Sequence, residues 1–316
     1  MKRKFMVLSS IVTTVLASIT AVSGVILSNK LMYIKLKDPA LVLEREKKAR
    51  RFDEEWFNQC HKQELLIQSP NGYSIKGIFL QPLQTNNIII ICHGVTENKM
   101  NSVKYARMYE RLGFNTVVYD HRRHGESGGK TTSYGYYEKM DLGKIVIHVR
   151  ELVGENAIIG IHGESMGAAT TLLYAGSDED QAKFYISDSA FSDFRQLLYL
   201  IVKNSISVDL KFAVHLTDLF MRMRDGYWIK NVLPKKTIKK IDKPVLFIHN
   251  IHDTFIPYTM TEEMFELKNE PKMLRLFEKG EHSQGFNEMP LEYEDTVREF
   301  LTRFVPEALV IEEDID

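Results

Sequence analysis

The sequence predicts an α/β fold: a mostly parallel central sheet with helices on both faces and a helical insertion, preceded by an apolar N-terminal helix. Three observations carry this reading. Short continuous apolar runs such as Ile88–Cys92 have the composition of strands buried on both faces. They alternate with amphipathic stretches of helical length, the order that produces parallel sheets. Ahead of them, Lys2, Arg3 and Lys4 precede 23 residues, 5–27, that carry no charge.

Those 23 residues would span about 34 Å as a helix, enough for a hydrocarbon core of roughly 30 Å. Eight of them are Ser, Thr or Gly, so the run is only moderately hydrophobic. A cleaved signal peptide is the competing reading, because Ala21-Val22-Ser23 offers small residues at a cleavage site. The run exceeds a usual signal core and resumes with Val25-Ile26-Leu27, which favours an uncleaved membrane anchor over residues 1–29. The basic cluster before it favours a cytoplasmic N-terminus and a domain outside the cytoplasm. Lys30, Lys35, Lys37 and Arg45 reduce that asymmetry, and the two cysteines also suit a reducing cytosol.

Residues 30–63 read as a juxtamembrane connector. Glu44-Arg45-Glu46-Lys47-Lys48 has both charge signs at helical spacing, which suggests a solvated helix, and a spacer lying against the following domain is the favoured reading. The α/β domain is expected over 64–304, with an acidic tail at 305–316. Within it, residues 74–80 alternate like a strand after the turn signal Asn71-Gly72. Runs at 88–92, 114–119, 157–161, 184–186 and 245–248 read as buried strands, and 273–277 as strand-like. Helical stretches fall near 102–112, 136–152, 168–175 and 258–267. Between the 184 and 245 strands the gap is too long for an ordinary connection. Its apolar runs, Leu197 to Val202 among them, predict a helical insertion over 192–240, lying over one sheet edge as a lid on an acyl pocket.

Composition excludes several classes. Apolar residues make up 44% and charged residues 26%, close to a soluble globular average, so disorder and low complexity fit poorly. Lys plus Arg number 41 against 42 Asp plus Glu, which argues against a nucleic-acid partner. Cys60 and Cys92 cannot build a disulfide framework and lack zinc-site spacing. Cys92 reads as a small core hydrophobe.

The chemistry concentrates in Gly163-Glu164-Ser165-Met166-Gly167. An apolar strand precedes it and the helix-forming run Ala168 to Leu173 follows, the strand–turn–helix context in which G-x-S-x-G presents a nucleophile. A serine there needs a base, and the base needs an orienting carboxylate. In this pattern they follow in the order Ser, acid, His. His282 is the one histidine beyond the acid candidates near residue 253. Asp253 lies just past the 245–248 strand in His249-Asn250-Ile251-His252-Asp253, and Asp188 is the reserve acid. An oxyanion hole requires two backbone N–H groups. Met166 after the nucleophile is one, and Val95 in His93-Gly94-Val95-Thr96 is the other, with His93 bracing that loop.

These motifs, together with Asp120 to Ser127 and Ile256-Pro257, resemble the α/β-hydrolase superfamily over about residues 64–304. The resemblance is to bacterial membrane-anchored serine hydrolases related to the peptidase S9/S33 and acyl-thioesterase-type branches. One departure is Arg123, where the superfamily commonly has Gly, which leaves the backbone of that loop open. The expected activity is cleavage of acyl esters by Ser165, His282 and Asp253, with neither metal nor organic cofactor. The substrate is a small-molecule or lipid-like acyl compound, and the membrane is engaged through the N-terminal helix. A peptidase, an aminopeptidase or an acyl-thioesterase would use the same residues. A catalytically inactive membrane-tethered binding protein is the rival of another class. His121-x-x-His124 lacks a third ligand for a metal. Gly129-Lys130-Thr131 lacks the first glycine of a phosphate loop, since His124 stands there.

Overall fold

The computed structural model describes residues 2–206 and 211–309, which form two compact units. The larger unit comprises residues 35–193 and 232–309. Its core is an eight-stranded sheet: β1 His61–Gln68, β2 Ser74–Gln81, β3 Ile88–Cys92, β4 Asn115–Tyr119, β5 Ile159–Glu164, β6 Phe184–Asp188, β7 Val245–Asn250 and β8 Lys272–Phe277. The order across the sheet is β1-β2-β4-β3-β5-β6-β7-β8. β1–β2 and β2–β4 pair antiparallel, and the remaining pairs are parallel.

The strand alternation shows why the central runs are wholly apolar. Ile88, Ile90 and Cys92 enter the core on one face with Leu142, Val146 and Leu172. Ile89 and Ile91 enter the other with Tyr109, Val297 and Phe300. Both faces are therefore dry, and a polar residue in either register would be buried without water. Helices Glu138–Val153 and Met166–Ala175 supply the first face, and Ala106–Arg111 and Pro290–Phe304 the second.

The edge strand β1 differs from expectation. The first strand begins at His61, ahead of the boundary expected at 64, and only Leu65 and Ile67 of it are buried. Five polar residues in eight hide a strand whose single neighbour is β2. The connector lies against the domain. Helix Pro39–Lys48 starts at an Asp38 cap that accepts Ala40 N–H at 2.8 Å, and helix Glu54–Gln59 starts at Asp53. Glu46 is only 1% exposed and is held by Arg45, Arg51 and Asn101. The spacer is thus packed on the domain, and Glu46 is dry although its neighbours in sequence are charged.

Arg123 adopts φ of 66°, so the loop keeps the left-handed conformation that glycine would take without strain. Its N–H bonds Gly128 O at 2.6 Å, which helps to hold the less comfortable residue there.

The smaller unit comprises the described parts of 2–34 and 194–231. It contains the helix Lys2–Met32, whose Thr13–Met32 segment is long and apolar enough to cross a membrane, with mean hydropathy 1.5. Helices Phe194–Ile206 and Lys211–Asp225 belong with it. A Cβ on Gly24 would come within 2.3 Å of the Phe220 ring, so glycine is what lets these helices approach. Arg224 donates to Ser28 Oγ at 2.6 Å and Asn29 Oδ1 at 2.8 Å. The predicted insertion of 192–240 is helical, but its compact part ends at 231. Thr237 Oγ1 donates to Leu172 O at 3.2 Å and Ile238 is buried in the sheet's core. The predicted acidic tail lies outside the described residues from 310 onward.

Candidate active site

β5 ends at Glu164 and the helix Met166–Ala175 begins at once, so Ser165 must reverse the chain in one residue. It does so at φ 56°, ψ −116°, a strained conformation of the kind that collects at active sites. The flanking glycines are steric necessities. A Cβ on Gly163 would lie 2.4 Å from Gly167 O, and one on Gly167 would lie 2.0 Å from Cys92 O. Because both obstacles are backbone, neither can move aside. Gly167→Ala is therefore expected to lose more than about 3 kcal/mol of stability, within the range of severe core overpacking, or to yield no folded protein. Urea unfolding measures it; an unchanged midpoint would contradict the close approach.

The structure brings the predicted residues together at the carboxyl ends of the parallel strands, where sites in such sheets form. Ser165 Oγ lies 2.8 Å from His282 Nε2, and His282 Nδ1 lies 2.6 Å from Asp253 Oδ2. Asp253 Oδ1 accepts the N–H groups of Phe255 at 2.9 Å and Ile256 at 2.8 Å. Burial would raise the Asp253 pKa, but the bonds from His249, His282 and Ile256 N–H outweigh it and hold the carboxyl below the usual carboxylate range. The carboxylate is charged, fully hydrogen-bonded and fixed in orientation.

The reserve acid Asp188 is engaged elsewhere. Its oxygens accept Ser189 Oγ at 2.8 Å and Tyr293 OH at 2.9 Å, while its carbonyl accepts Ser165 N–H at 2.8 Å. Burial, with the nearby Glu164 charge, pushes its carboxyl up to about 6. Glu164, beside the nucleophile in sequence, is paired with Lys104 Nζ at 2.7 Å and Tyr105 OH at 2.8 Å.

The loop after β3 lies against the nucleophile: a Cβ on Gly94 would sit 3.5 Å from Ser165 Cβ. Val95 follows in that loop, and Met166 opens the helix with one of its unpaired N–H groups. His93 Nδ1–H donates to Gly94 O at 2.7 Å, and its Nε2 accepts His121 N–H at 3.0 Å. His124 Nδ1–H donates to Arg122 O at 2.9 Å, and its Nε2 accepts Thr96 N–H at 3.3 Å. Burial and the neighbouring His93 push His124 down to about 3, so it remains a neutral acceptor. All four nitrogens of this pair are in use.

Two residues at the end of β7 carry roles that the sequence analysis did not assign. His249 Nε2–H donates to Ile256 O at 2.9 Å and Asp253 Oδ2 at 3.1 Å, while Nδ1 accepts Thr261 Oγ1–H at 2.7 Å. Asn250 donates to Lys279 O at 2.5 Å and accepts Gly285 N–H at 3.1 Å, fastening both ends of the loop that bears His282. The only signal was their place at the carboxyl end of a strand otherwise wholly apolar. His249→Leu is expected to lower kcat about 10- to 100-fold, the scale seen when a supporting group is lost, with KM unchanged. Steady-state kinetics on an ester substrate decides it; wild-type kcat would refute the role.

The sheet order and the strand–turn–helix at Ser165 define an α/β hydrolase. Residues 84–221 match the family model described as serine aminopeptidase, S33. The uncharacterised protein YqkD of Bacillus subtilis is 42% identical over 302 residues, covering 95% of this chain and 97% of its own length. Among solved structures, the Pyrococcus furiosus esterase Pf2001 superposes with TM-score 0.63 at 19% identity, covering 82% of this chain and 94% of that one. The acylaminoacyl peptidase of Pyrococcus horikoshii gives 0.58 at 17%, covering 81% of this chain and 43% of that one. The chain is an α/β hydrolase and belongs to the family it shares with YqkD.

Proposed function

We propose that the protein hydrolyses carboxylic acyl esters through an acyl-enzyme on Ser165. The observation that carries this is the alignment of Ser165 Oγ, His282 and Asp253 at 2.8 Å and 2.6 Å. Ser165 Oγ attacks the carbonyl carbon as His282 Nε2 takes its proton. The Met166 and Val95 N–H groups stabilise the oxyanion. His282 returns the proton to the leaving alcohol, and the C–O bond to it breaks. Water, deprotonated by the same imidazole, then releases the acid and regenerates Ser165. Asp253 holds the tautomer with the proton on Nδ1.

One feature supports an ester over an N-terminal amino acid substrate. The insertion's Leu, Ile, Phe and Met content suits an acyl chain. A panel of acyl esters, thioesters and aminoacyl amides of graded length tests this. The highest kcat/KM is expected for short or medium acyl esters; preference for aminoacyl amides over every ester would overturn the choice.

The N-terminal helix we read as an uncleaved anchor that places the domain outside the cytoplasm, supported by its length and apolar composition and by the basic residues before it. Protease added to wall-stripped intact cells is expected to digest the domain while sparing a cytosolic control. Survival until permeabilisation would refute that side.

A further inference from the structure

The connector reaches the turn that carries Val95. Residues 94–97 form a β-turn closed by Glu97 N–H to Gly94 O at 3.3 Å. Its third residue, Thr96, has φ of 69°, a position such turns usually give to Gly or Asn. For a β-branched residue that conformation costs on the order of 1–3 kcal/mol and persists only where the surroundings over-determine it.

Contacts from two directions do so. From the domain, His93 holds Gly94 O and His124 holds Thr96 N–H. From the connector, Lys37 N–H donates to Thr96 O at 3.1 Å. The Glu97 carboxylate receives the Arg45 fork, Nη1 to Oε1 at 3.0 Å and Nη2 to Oε2 at 2.8 Å, with the Lys37 ammonium also on Oε1. Arg45 is itself oriented, because its Nε donates to Glu46 Oε1 at 2.8 Å, and Glu46 is buried against Arg51 and Asn101. A bidentate guanidinium–carboxylate pair fixes geometry as well as charge. The two ends of this one are 52 residues apart.

We propose that the connector is a clamp on the oxyanion turn, with Arg45 and Glu97 as positioning residues that set where the Val95 N–H points. This rests on the reading of Val95 as an oxyanion donor. Neither side chain needs to touch substrate. Losing one oxyanion donor outright costs about 10²- to 10³-fold in kcat, so a donor left in place but misdirected should cost part of that. Because the pair is partly exposed, its contribution to global stability is small, and the effect should fall on turnover rather than on folding.

The test uses the full-length protein in detergent with a p-nitrophenyl ester. Arg45→Met removes the fork and keeps the stem; Glu97→Gln keeps the shape and removes the charge. Each is expected to lower kcat about 10- to 100-fold with KM within about twofold, and Arg45→Lys to recover part of the loss. Lys47→Met, which breaks an exposed pair with Glu54, should leave kcat unchanged. Rates are taken per site titrated to completion with a fluorophosphonate, so unfolded protein does not count. Wild-type kcat per site in Arg45→Met and Glu97→Gln, beside an inert Ser165→Ala enzyme, overturns the clamp alone. Undiminished turnover by Ser165→Ala overturns the reading beneath it, and the clamp with it.

Discussion

Ser165→Ala is expected to lower kcat on a p-nitrophenyl ester by on the order of 10⁵- to 10⁶-fold, the scale at which serine triads fail when the nucleophile is lost. The substitution is mild for the fold. Alanine is smaller than serine, fits the space beside Gly94, and suffers φ of 56° no worse than serine does. The loss should therefore appear in turnover while the melting temperature stays near that of the wild type. The background that survives would be what the oxyanion donors and binding contribute without a nucleophile. Undiminished hydrolysis would remove Ser165 from the mechanism.

The second large effect separates the two acids. Asp253→Asn is expected to cost about 10³- to 10⁴-fold in kcat, and Asp188→Asn less than about 10-fold. The reason lies in which oxygen does what. Oδ1 of Asp253 accepts two backbone N–H groups, from Phe255 and Ile256, so an asparagine must keep its oxygen there. Its NH2 then occupies the Oδ2 position and faces His282 Nδ1. The imidazole is forced to carry its proton on Nε2, where it cannot accept the Ser165 proton. Asp188 makes no such contact with His282; its partners Ser189 and Tyr293 are hydroxyls that can reorient. Steady-state kinetics of the two variants decides the assignment, and the reverse ranking would move the role to Asp188. Because hydrogen bonds hold the Asp253 pKa low, the kcat/KM profile should show no Asp253 limb above about pH 4.

Much of this site could be read from residues alone because its constraints are local. Gly163 and Gly167 are demanded by backbone atoms within a few positions or on the neighbouring strand, and Ser165 sits where strand patterning stops. Asp253 and His282 each follow a strand end, so chain order places them at the same edge. The central strands were legible for a related reason: with both faces buried, every residue of β3 is apolar.

What escaped depends on contacts distant in sequence or on polar residues that are dry. β1 has one neighbour and mostly exposed side chains, so alternation is nearly absent. The connector's Glu46 looks solvated in a run of charges, and burial becomes evident only when Arg45, Arg51 and Asn101 converge on it. His249 resembled a histidine ending a strand; its role arises because Ile256 and Asp253 fold back over it. The insertion's limit at 231 rather than 240 follows from Ile238 joining the sheet's core, a tertiary preference invisible in an apolar stretch.

The most direct measurement is the intact mass and peptide map of the full-length protein after reaction with a fluorophosphonate. That reagent is attacked by an activated serine and gives a stable phosphonylated adduct. The account predicts one adduct per chain, carried by the peptide containing Ser165, with labelling slowed by orders of magnitude in His282→Ala. An adduct on another serine, or a hydrolytically active protein that takes no label at Ser165, would contradict it.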